Sequence, residues 1–259
     1  MHVLITGGSG SLGRALIPAI AGAGHVVRVM SRRPRPESVK TEVEWAEAEL
    51  ASGNGIGEAV DRISVILHAA SDFRRAEAVD VVGTRNLVEA ARKAGVSHLI
   101  YISIVGIDDI PYGYYKRKRA AEEIIESSGL PYSILRATQF HSLVNSMLLA
   151  AARLPIIMPI PGDFRFQSVD ESEVAQRLAQ CVADGPRARV TDFGGPEVLS
   201  LGEMADTWMD VKGVRKRLIR LPLPGSVAAA FRAGKNTVPD GVRGEIRWRD
   251  WLIRRGESE

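Results

Sequence analysis

The sequence predicts an α/β protein with a doubly wound parallel sheet and a smaller C-terminal subdomain. Two observations support this fold class. Apolar, β-branched runs alternate with helix-patterned stretches from residue 1 to about residue 137, which is typical of successive βαβ units. A glycine-rich segment also lies between the first apolar run and the first helix. Because the alternation weakens further on, we expect a core over residues 1–137 and a subdomain over residues 138–259.

Each element of the core follows from a local pattern. The strands are apolar runs bounded by polar or turn residues, and the helices carry apolar residues on one face. The predicted strands are residues 3–5, 26–30, 43–46, 64–70, 98–103 and 132–136. The predicted helices are residues 12–23, a stretch that ends at 60, 80–94 and 114–128. Right-handed βαβ units in this order place ligands at the carboxyl ends of the strands.

The C-terminal part is less regular in sequence. Helices are predicted at residues 172–183 and 201–212. Irregular loops are predicted around Pro155, Pro159 and Pro161. We expect this part of the chain to fold back as a substrate-binding subdomain.

The glycine-rich segment predicts a dinucleotide-binding turn. Gly7, Gly10 and Gly13 lie between a strand and a helix, as in the fingerprint of Rossmann folds. The first glycine permits the tight turn, the second lets the backbone approach a pyrophosphate, and the third allows close helix–strand packing. The pyrophosphate would lie against the backbone N–H groups at the helix start, where Ser11 and Leu12 stand, because the helix dipole favours an anion there.

The end of the second strand predicts which dinucleotide binds. NAD-binding proteins place a carboxylate near this point to hold the ribose 2′-hydroxyl. Here the strand ends in Ser31, Arg32 and Arg33, and no carboxylate follows until Glu37. An arginine can pair with a 2′-phosphate through its planar fork. We therefore predict NADP(H), with a solvated basic loop at 32–36 as the alternative interpretation.

The composition is ordinary for a globular chain of 259 residues, with 45% hydrophobic and 25% charged residues. The formal net charge is only +3, and the basic residues are scattered. No zinc-ligand spacing or interleaving of aromatic with basic residues accompanies them. We therefore expect neither nucleic-acid binding nor a metal site.

Compartment and membrane contact are predicted from two further features. Cys181 is the one cysteine, which excludes an intrachain disulfide and indicates a reducing compartment. Its apolar helical surroundings predict a buried, inert thiol. No leader pattern precedes the first strand, and the apolar stretch 143–161 is interrupted by Asn145, Arg153 and prolines. We expect a cytoplasmic protein without membrane contact.

Four motifs follow one another along the chain. They are Thr6-Gly7-Gly8-Ser9-Gly10-Ser11-Leu12-Gly13, His68-Ala69-Ala70-Ser71, Gly83-Thr84-Arg85-Asn86-Leu87 and Tyr114-Tyr115-Lys116-Arg117-Lys118. In this order they resemble the short-chain dehydrogenase/reductase superfamily, in particular its extended and atypical NmrA-like branches. The resemblance implies that Ala69 and Ala70 line the adenosine part of the cofactor. It also gives His68 a structural or cofactor-lining role.

The same resemblance implies a catalytic pair. Tyr114 and Lys118 match the tyrosine and lysine of the family, and their i, i+4 spacing places them on one helix face. In the family the tyrosine exchanges a proton with the substrate, while the lysine lowers its pKa and holds the nicotinamide ribose. A surface Tyr–Lys pair is the alternative.

The family's serine departs from the pattern. Extended members end the preceding strand with two serines, and the second is normally catalytic, whereas this chain has Ser103 followed by Ile104. Ser103 is expected either to hydrogen-bond the substrate or to cap the strand end. His141, after the sixth strand, is expected to be either an acid–base group or an ordinary loop residue.

Three functions remain open from the sequence. The first is an NADP(H)-dependent oxidoreductase that transfers hydride to a small carbonyl, enone or quinone. The second is a non-catalytic NADP(H)-binding redox sensor of the NmrA-like type, and the third is an NADP-dependent epimerase. The expected partners are a small-molecule substrate and at most a second copy of the chain, so that the protein is a monomer or a homodimer.

Overall fold

The computed structural model of the chain describes residues 1–35, 43–238 and 240–256. Pro36 and Glu37, which entered the cofactor argument, lie outside these residues, and so does the very end of the chain. The described strands are β1 His2–Thr6, β2 Val26–Ser31, β3 Glu44–Glu47, β4 Val65–His68, β5 His98–Ile104, β6 Tyr132–Ala137, β7 Ile157–Ile160, β8 Arg165–Phe166, β9 Ala188–Arg189, β10 Phe193–Gly194, β11 Leu199–Ser200, β12 Arg217–Arg220 and β13 Val242–Arg243.

The helices alternate with these strands in the first half of the chain. They are α1 Ser11–Gly22, α2 Ile56–Val60, α3 Gly83–Lys93, α4 Gly113–Glu126, α5 His141–Ala151, α6 Glu171–Asp184, α7 Leu201–Lys212, α8 Ser226–Arg232 and α9 Trp248–Gly256. A 3₁₀ turn at Phe73–Arg75 and a π-helical segment at Glu77–Val82 precede α3.

The chain divides into two compact units, and neither is continuous in sequence. Unit 1 contains Met1–Ser103, Gly113–Leu135 and Val174–Val190. Unit 2 contains Ile104–Tyr112, Arg136–Glu173 and Thr191–Glu259.

Unit 1 contains a sheet with the strand order β6-β5-β4-β1-β2-β3, and β9 pairs with β6. The pairs β3–β2, β2–β1, β1–β4 and β4–β5 are all parallel. The chain order therefore reverses between β1 and β4, where doubly wound sheets bind their ligands. The predicted α/β fold with a doubly wound Rossmann sheet is confirmed.

The central strands of unit 1 are buried on both faces, as their continuous apolar runs predict. Val3, Leu4 and Ile5 of β1 are fully buried, and so is Ile66 of β4. Thr6 pairs with His68 in register, so the two strands end side by side. This places the glycine turn after β1 beside the loop after β4.

The predicted regular helix over residues 80–94 is wrong in its first turns. The chain is π-helical over Glu77–Val82 and becomes α-helical from Gly83. The Thr84 hydroxyl donates to the Asp80 carbonyl at 2.5 Å, and a Cβ on Gly83 would meet Leu50 Cβ at 2.8 Å. Side-chain competition for a backbone carbonyl and close packing accompany this departure from α-helical geometry.

Unit 2 has a separate apolar core. Trp208 on α7 and Trp248 on α9 are buried in it, with Leu148 of α5. The indole N–H of Trp208 donates to Asn145 Oδ1 at 2.8 Å, and that of Trp248 donates to the Met204 carbonyl at 3.0 Å. Both polar groups are thereby satisfied inside an apolar cluster.

One expectation for unit 2 is wrong, and one helix was not predicted. Helix α5 follows β6 and ends before Pro155. Pro155 and Pro161 lie outside regular elements, as predicted, but Pro159 lies within strand β7 and not in an irregular loop. Strand β7 pairs only with β12 in a two-stranded sheet, and such an edge tolerates a residue without an N–H.

Helix α7 has the predicted bounds because its ends are encoded locally. The Ser200 hydroxyl accepts from the Glu203 amide at 3.2 Å, and the Glu203 carboxylate accepts from the Ser200 amide at 2.7 Å, which completes a capping box. Gly213 ends the helix in the left-handed conformation, with φ at 64°.

Helix α1 supplies the first prediction. Gly13→Ala is expected to lower the free energy of unfolding by about 1–3 kcal/mol, because overpacking against backbone cannot relax easily. A Cβ at this position would lie 2.3 Å from the Gly7 carbonyl oxygen and 2.5 Å from Gly8 Cα. Urea unfolding followed by circular dichroism measures the change.

Gly22→Ala in the same helix is the matched control. A Cβ there meets nothing within 4 Å, so the variant is expected to be as stable as the parent or up to about 1 kcal/mol more stable. Equal stability of the two variants would contradict the close packing of α1 on the turn.

Candidate functional site

The glycine turn packs directly against the loop after β4. Gly7 has φ of +72°, and a Cβ on it would lie 2.7 Å from Ala70 Cα and 2.9 Å from the Ala69 carbonyl carbon. The Gly10 amide donates to the Gly7 carbonyl at 2.9 Å and closes the turn. Gly13 packs against the same backbone from the helix side. No residue with a side chain fits at Gly7 or Gly13.

Helix α1 begins with its positive end open. Gly10 is the N-cap residue in an extended conformation, no side chain caps the helix, and no acidic residue lies in the first turn. Gly10 and Ser11 are exposed, whereas the side chain of Leu12 is buried in the core. A turn with glycines at positions 7, 8 and 10, at the start of an uncapped helix, fits a pyrophosphate. Leu12 can contribute only its main chain to such a contact.

A buried hydrogen-bond chain fixes the ends of β1 and β4. The Thr6 hydroxyl accepts from the amides of Ala69 and Ala70, at 3.2 and 3.1 Å, so its proton points to His68 Nδ1 at 2.7 Å. The Thr84 hydroxyl donates to a carbonyl, so it accepts from His68 Nε2 at 3.0 Å. His68 is therefore a neutral Nε2–H tautomer.

The pKa of His68 agrees with this assignment. Burial, and the nearby positive charge of Lys118, lower it to about 3. Because Ala69 and Ala70 already give their N–H groups to Thr6, only their carbonyls and methyl groups remain for a cofactor contact.

The arginines after β2 lie on an exposed loop. The side chain of Arg32 is about half exposed and lies 3.5 Å from a carboxylate oxygen of Glu49. Arg75 approaches the other carboxylate oxygen of Glu49 at 3.6 Å. The Arg33 carbonyl accepts from the Trp45 indole at 2.8 Å, so its backbone is anchored while the residue is exposed. Glu49 and Arg75 were missed because neither is near Arg32 in sequence.

Tyr114 lies on the first turn of α4 and bonds to the loop after β4. Its hydroxyl lies 2.7 Å from Ser71 Oγ, and its ring meets Phe73 edge-on at 5.3 Å. Burial raises the pKa of the Tyr114 phenol well above its ordinary value, and the charge of Asp80 raises it further. Tyr114 is a protonated phenol throughout the neutral range.

Lys118 lies one turn further along α4 and is almost completely buried. Its Nζ donates to the Ile102 carbonyl at 3.0 Å, lies 3.8 Å from Asp80 Oδ1 and stands 4.1 Å from the Tyr101 ring centroid. Burial lowers the pKa of Lys118 to about 8, although the carboxylates of Asp80 and Glu122 raise it.

Ser103 is the penultimate residue of β5, the strand whose Ile102 carbonyl accepts from Lys118. Its hydroxyl is buried and has no hydrogen-bond partner among the described residues. The hydroxyl partner of Tyr114 is therefore Ser71. The sequence motif contained Ser71, but a role for it could be inferred only from the fold.

Asp80 is a further residue that sequence reasoning missed. Its carboxylate accepts from the Ser71 hydroxyl at 2.7 Å and from the Asp72 amide at 3.3 Å. The available signal was a carboxylate between two valines, Val79 and Val81, which are also buried.

His141 was expected to be either an acid–base group or a loop residue, and its surroundings fit neither interpretation. It begins α5 and is fully buried, with Nδ1 at 2.8 Å from Ser168 Oγ and Nε2 donating to the Ile246 carbonyl at 3.1 Å. Burial lowers its pKa to about 4, against the raising effects of that carbonyl and of Asp170. His141 is a neutral structural residue of unit 2.

The described residues contain neither a metal-binding cluster nor a helix that could cross a membrane. No group of three or more His, Cys, Asp or Glu side chains in the described ranges is arranged to hold a metal ion. No described helix combines the length and apolar character that a membrane crossing needs. Cys181 is buried and unpaired, as predicted, and burial raises the pKa of its thiol.

Comparison with known proteins identifies the family. A family of NAD(P)H-binding proteins matches residues 7–185, which include the glycine turn, the loop after β4 and the Tyr114–Lys118 pair. The chain belongs to this NAD(P)H-binding family. The predicted resemblance and the predicted binding of a nicotinamide dinucleotide are confirmed.

Two relatives that match most of the chain are reductases. A (4-alkanoyl-5-oxo-2,5-dihydrofuran-3-yl)methyl phosphate reductase from Streptomyces griseus is 25% identical over 205 residues, 78% of this chain and 70% of that protein. A ceramide reductase from Caulobacter vibrioides is 28% identical over 251 residues, 88% of this chain and 75% of that protein. The predicted class, an NAD(P)H-dependent oxidoreductase, is confirmed at this level.

A solved structure supports the fold over nearly the whole chain. An NADPH-dependent quinone oxidoreductase from Escherichia coli, complexed with NADPH, has a TM-score of 0.79 and 17% identity. The match covers 98% of this chain and 99% of that one.

The turn supplies the second prediction. Gly10→Val is expected to fold and to lose at least a hundredfold in NADPH affinity, because the branched side chain would fill the space against the helix start. A Cβ at Gly10 meets only the Gly7 carbonyl, at 3.2 Å, so the substitution leaves the core intact. Calorimetric titration measures affinity, and circular dichroism checks the fold. A folded variant with the parent's affinity would mean that the segment is only a turn.

Proposed function

We propose that the protein is an NADP(H)-dependent oxidoreductase that reduces a small carbonyl, enone or quinone compound. One observation carries the proposal. The Tyr114 phenol is held by Ser71 beside the loop after β4, and the ammonium of Lys118 lies one helical turn away. A protonated phenol on the same helix face as an ammonium suits a group that gives a proton to a developing alkoxide.

The residues that would hold the cofactor follow from the turn and the basic loop. Gly7, Gly10 and Gly13 would admit the pyrophosphate at the start of α1. Arg32 and Arg33, exposed at the end of β2, would bind a 2′-phosphate, which supports NADP(H) over NAD(H). When bound, the nicotinamide supplies the hydride that the reduction needs.

The catalytic residues then have separate tasks. Tyr114 gives its proton to the substrate oxygen. Lys118, fixed by the Ile102 carbonyl, keeps a positive charge near the phenol and would hold the ribose hydroxyls. Ser103 has a buried hydroxyl for which the described part of the chain offers no hydrogen-bond partner, and such a donor would be free to bond a substrate oxygen.

Several features remain predictions within this proposal. They are substrate binding by residues 138–259, a cytoplasmic location, and a monomeric or homodimeric state. A redox sensor would bind NADPH without consuming it, and an epimerase would retain tightly bound nicotinamide through purification. Absorbance at 340 nm with carbonyl, enone and quinone panels separates the three functions.

The third prediction concerns cofactor choice. The protein is expected to bind NADPH more tightly than NADH, and Arg32→Asp is expected to narrow or invert that preference. Loss of one charge-assisted contact costs about 1.5–3 kcal/mol, which is roughly a tenfold to hundredfold change in affinity. Fluorescence titration with both nucleotides measures it.

Arg62→Asp is the control for net charge. Arg62 is exposed and precedes β4, so it lies at the amino ends of the strands, away from the proposed site. The Arg62→Asp variant should leave the ratio of the affinities for NADPH and NADH unchanged. Equal affinities of the parent for NADPH and NADH would contradict the NADP(H) assignment.

The fourth prediction concerns proton transfer. Tyr114→Phe is expected to lower kcat by roughly 10²–10⁴ while the Kd for NADPH hardly changes, because the phenol faces the substrate. Lys118→Ala is expected to lower kcat and also to weaken NADPH binding. The effects of Tyr114→Phe and Lys118→Ala on kcat should be strongly non-additive in the double variant. Stopped-flow and steady-state assays give the two parameters.

Tyr132→Phe is the matched control. It also removes one phenolic hydroxyl, but at the amino end of β6, away from the carboxyl ends of the strands where the proposed site lies. It should retain the parent's kcat. A loss of only twofold in Tyr114→Phe would place the proton donor elsewhere.

A further inference from the structure

The loop after β4 and the π-helical segment bring a buried carboxylate to the proposed site. Asp80 is only 1% exposed, and the proposed function gives it no task. Its oxygens accept from Ser71 Oγ at 2.7 Å and from the Asp72 amide at 3.3 Å. Lys118 Nζ lies 3.8 Å from the same oxygen that Ser71 contacts.

The π-helical turn explains why this carboxylate is accommodated in an apolar layer. Val79 and Val81 on either side are also buried, and the Asp80 carbonyl is held by Thr84. A buried carboxylate without partners is strongly unfavourable, so its hydrogen bonds and ion pair are what make the position tolerable. π-Helical turns of this kind occur frequently at functional sites.

The direction of the hydrogen bonds follows from the carboxylate. The Asp80 carboxylate is the acceptor of this hydrogen bond, so the proton of the Ser71 hydroxyl points to it. The lone pairs of Ser71 are then left to accept from the Tyr114 hydroxyl at 2.7 Å, until rotation of that hydroxyl about its C–O bond turns the proton to a substrate oxygen. The chain therefore runs from the Tyr114 phenol through Ser71 to Asp80, and its end lies against Lys118.

We propose that Asp80 is the positioning residue of this site: through Ser71 it places the phenol oxygen of Tyr114, and by direct charge it keeps Lys118 an ammonium. This inference rests on the proposed reductase function. Ser71 thereby supplies the hydroxyl partner of the tyrosine that the chain lacks at Ile104.

The charged and titratable groups around Lys118 come from four elements. Asp80 faces it from the π-helical segment, Glu122 from its own helix, Tyr101 from β5 and His68 from β4. His68 is neutral, and burial raises the pKa of Tyr101 well above its ordinary value, so neither carries charge near pH 8. Glu122 is paired with Arg119 at 3.0 Å and Arg189 at 3.1 Å.

Removing the Asp80 charge therefore has a defined sign. A neighbouring carboxylate favours the ammonium, so its loss moves the Lys118 pKa below about 8. The fraction of Lys118 that is charged at pH 8 falls, and Ser71 loses the acceptor that orients it.

The test uses the full chain without cofactor and the Asp80→Asn variant, with lysines labelled at ¹³Cε. The resonance of Lys118 is identified by its loss in Lys118→Met. We expect its titration midpoint to move to at least tenfold higher proton concentration in Asp80→Asn. Glu77→Gln is the matched control, because it makes the same change on the same segment at an exposed residue paired with Arg117. An unchanged midpoint in Asp80→Asn overturns the proposal.

Activity provides the second arm. In Asp80→Asn the alkaline limb of the plot of kcat against pH is expected to move to lower pH, by the same change in proton concentration as the Lys118 midpoint. Ser71→Ala is expected to lower kcat about tenfold to a hundredfold with the KM for NADPH unchanged. The double variant that combines Asp80→Asn with Ser71→Ala should have a kcat only slightly below that of the less active single variant. Fully additive losses, or an unchanged kcat in Ser71→Ala, overturn the proposal.

The two arms separate the proposal from the function on which it rests. If the parent reduces no carbonyl, enone or quinone, the proposed reductase function fails, and the positioning role fails with it. The Lys118 titration needs no turnover, so it can be measured even if the parent is inactive. In that case a shifted Lys118 midpoint in Asp80→Asn shows that the Asp80–Lys118 contact is as described and that only the proposed reductase function is wrong. If Asp80→Asn does not fold by circular dichroism, Ser71→Ala decides the outcome through its kcat.

Discussion

Close backbone packing at the carboxyl ends of β1 and β4 governs the rest of unit 1. Gly7 stands so near Ala70 that a methyl group would lie 2.7 Å from its Cα. The Thr6–His68–Thr84 hydrogen bonds hold the two strand ends and the following helix together without any exposed polar group. Because His68 satisfies a hydroxyl on each side, charging it would break the chain. The low pKa of this histidine is thus a consequence of the packing.

The proposed chemistry lies on the loop that this packing positions. Ala69 and Ala70 are held by Thr6, and Ser71 follows immediately, so its hydroxyl has little freedom. Helix α4 brings Tyr114 to the same loop. A site on rigid strand ends can hold a phenol within hydrogen-bond distance more reliably than a site on long loops.

Unit 2 is stabilised by a different kind of polar burial. His141 bridges Ser168 and the Ile246 carbonyl, and its ring lies 5.6 Å from that of Trp248 and 5.7 Å from that of Trp251. The histidine thus joins the start of α5 to the segment before α9. A residue that would titrate near neutrality in water is held neutral here, where its task is to satisfy hydrogen bonds inside an aromatic cluster.

The sequence by itself determined those features whose causes lie within a few residues. The glycine spacing defined the turn before α1, the apolar runs defined the strands of the doubly wound sheet, and the capping box at Ser200 defined the start of α7. Backbone conformational preferences and side-chain periodicity are short-range, so they can be inferred without knowing the fold.

Only the tertiary structure decided which polar groups meet. Ser71 and Tyr114 are 43 residues apart, and His141 and Ile246 are 105 residues apart. Such contacts depend on the order of strands in the sheet and on how each segment returns, which no local pattern specifies. The burial of Asp80 has the same origin, because a carboxylate is tolerated there only where partners such as Ser71 and Lys118 are present. The depths of burial that shift the pKa values of Tyr114, Lys118 and His68 therefore also belong to the tertiary structure.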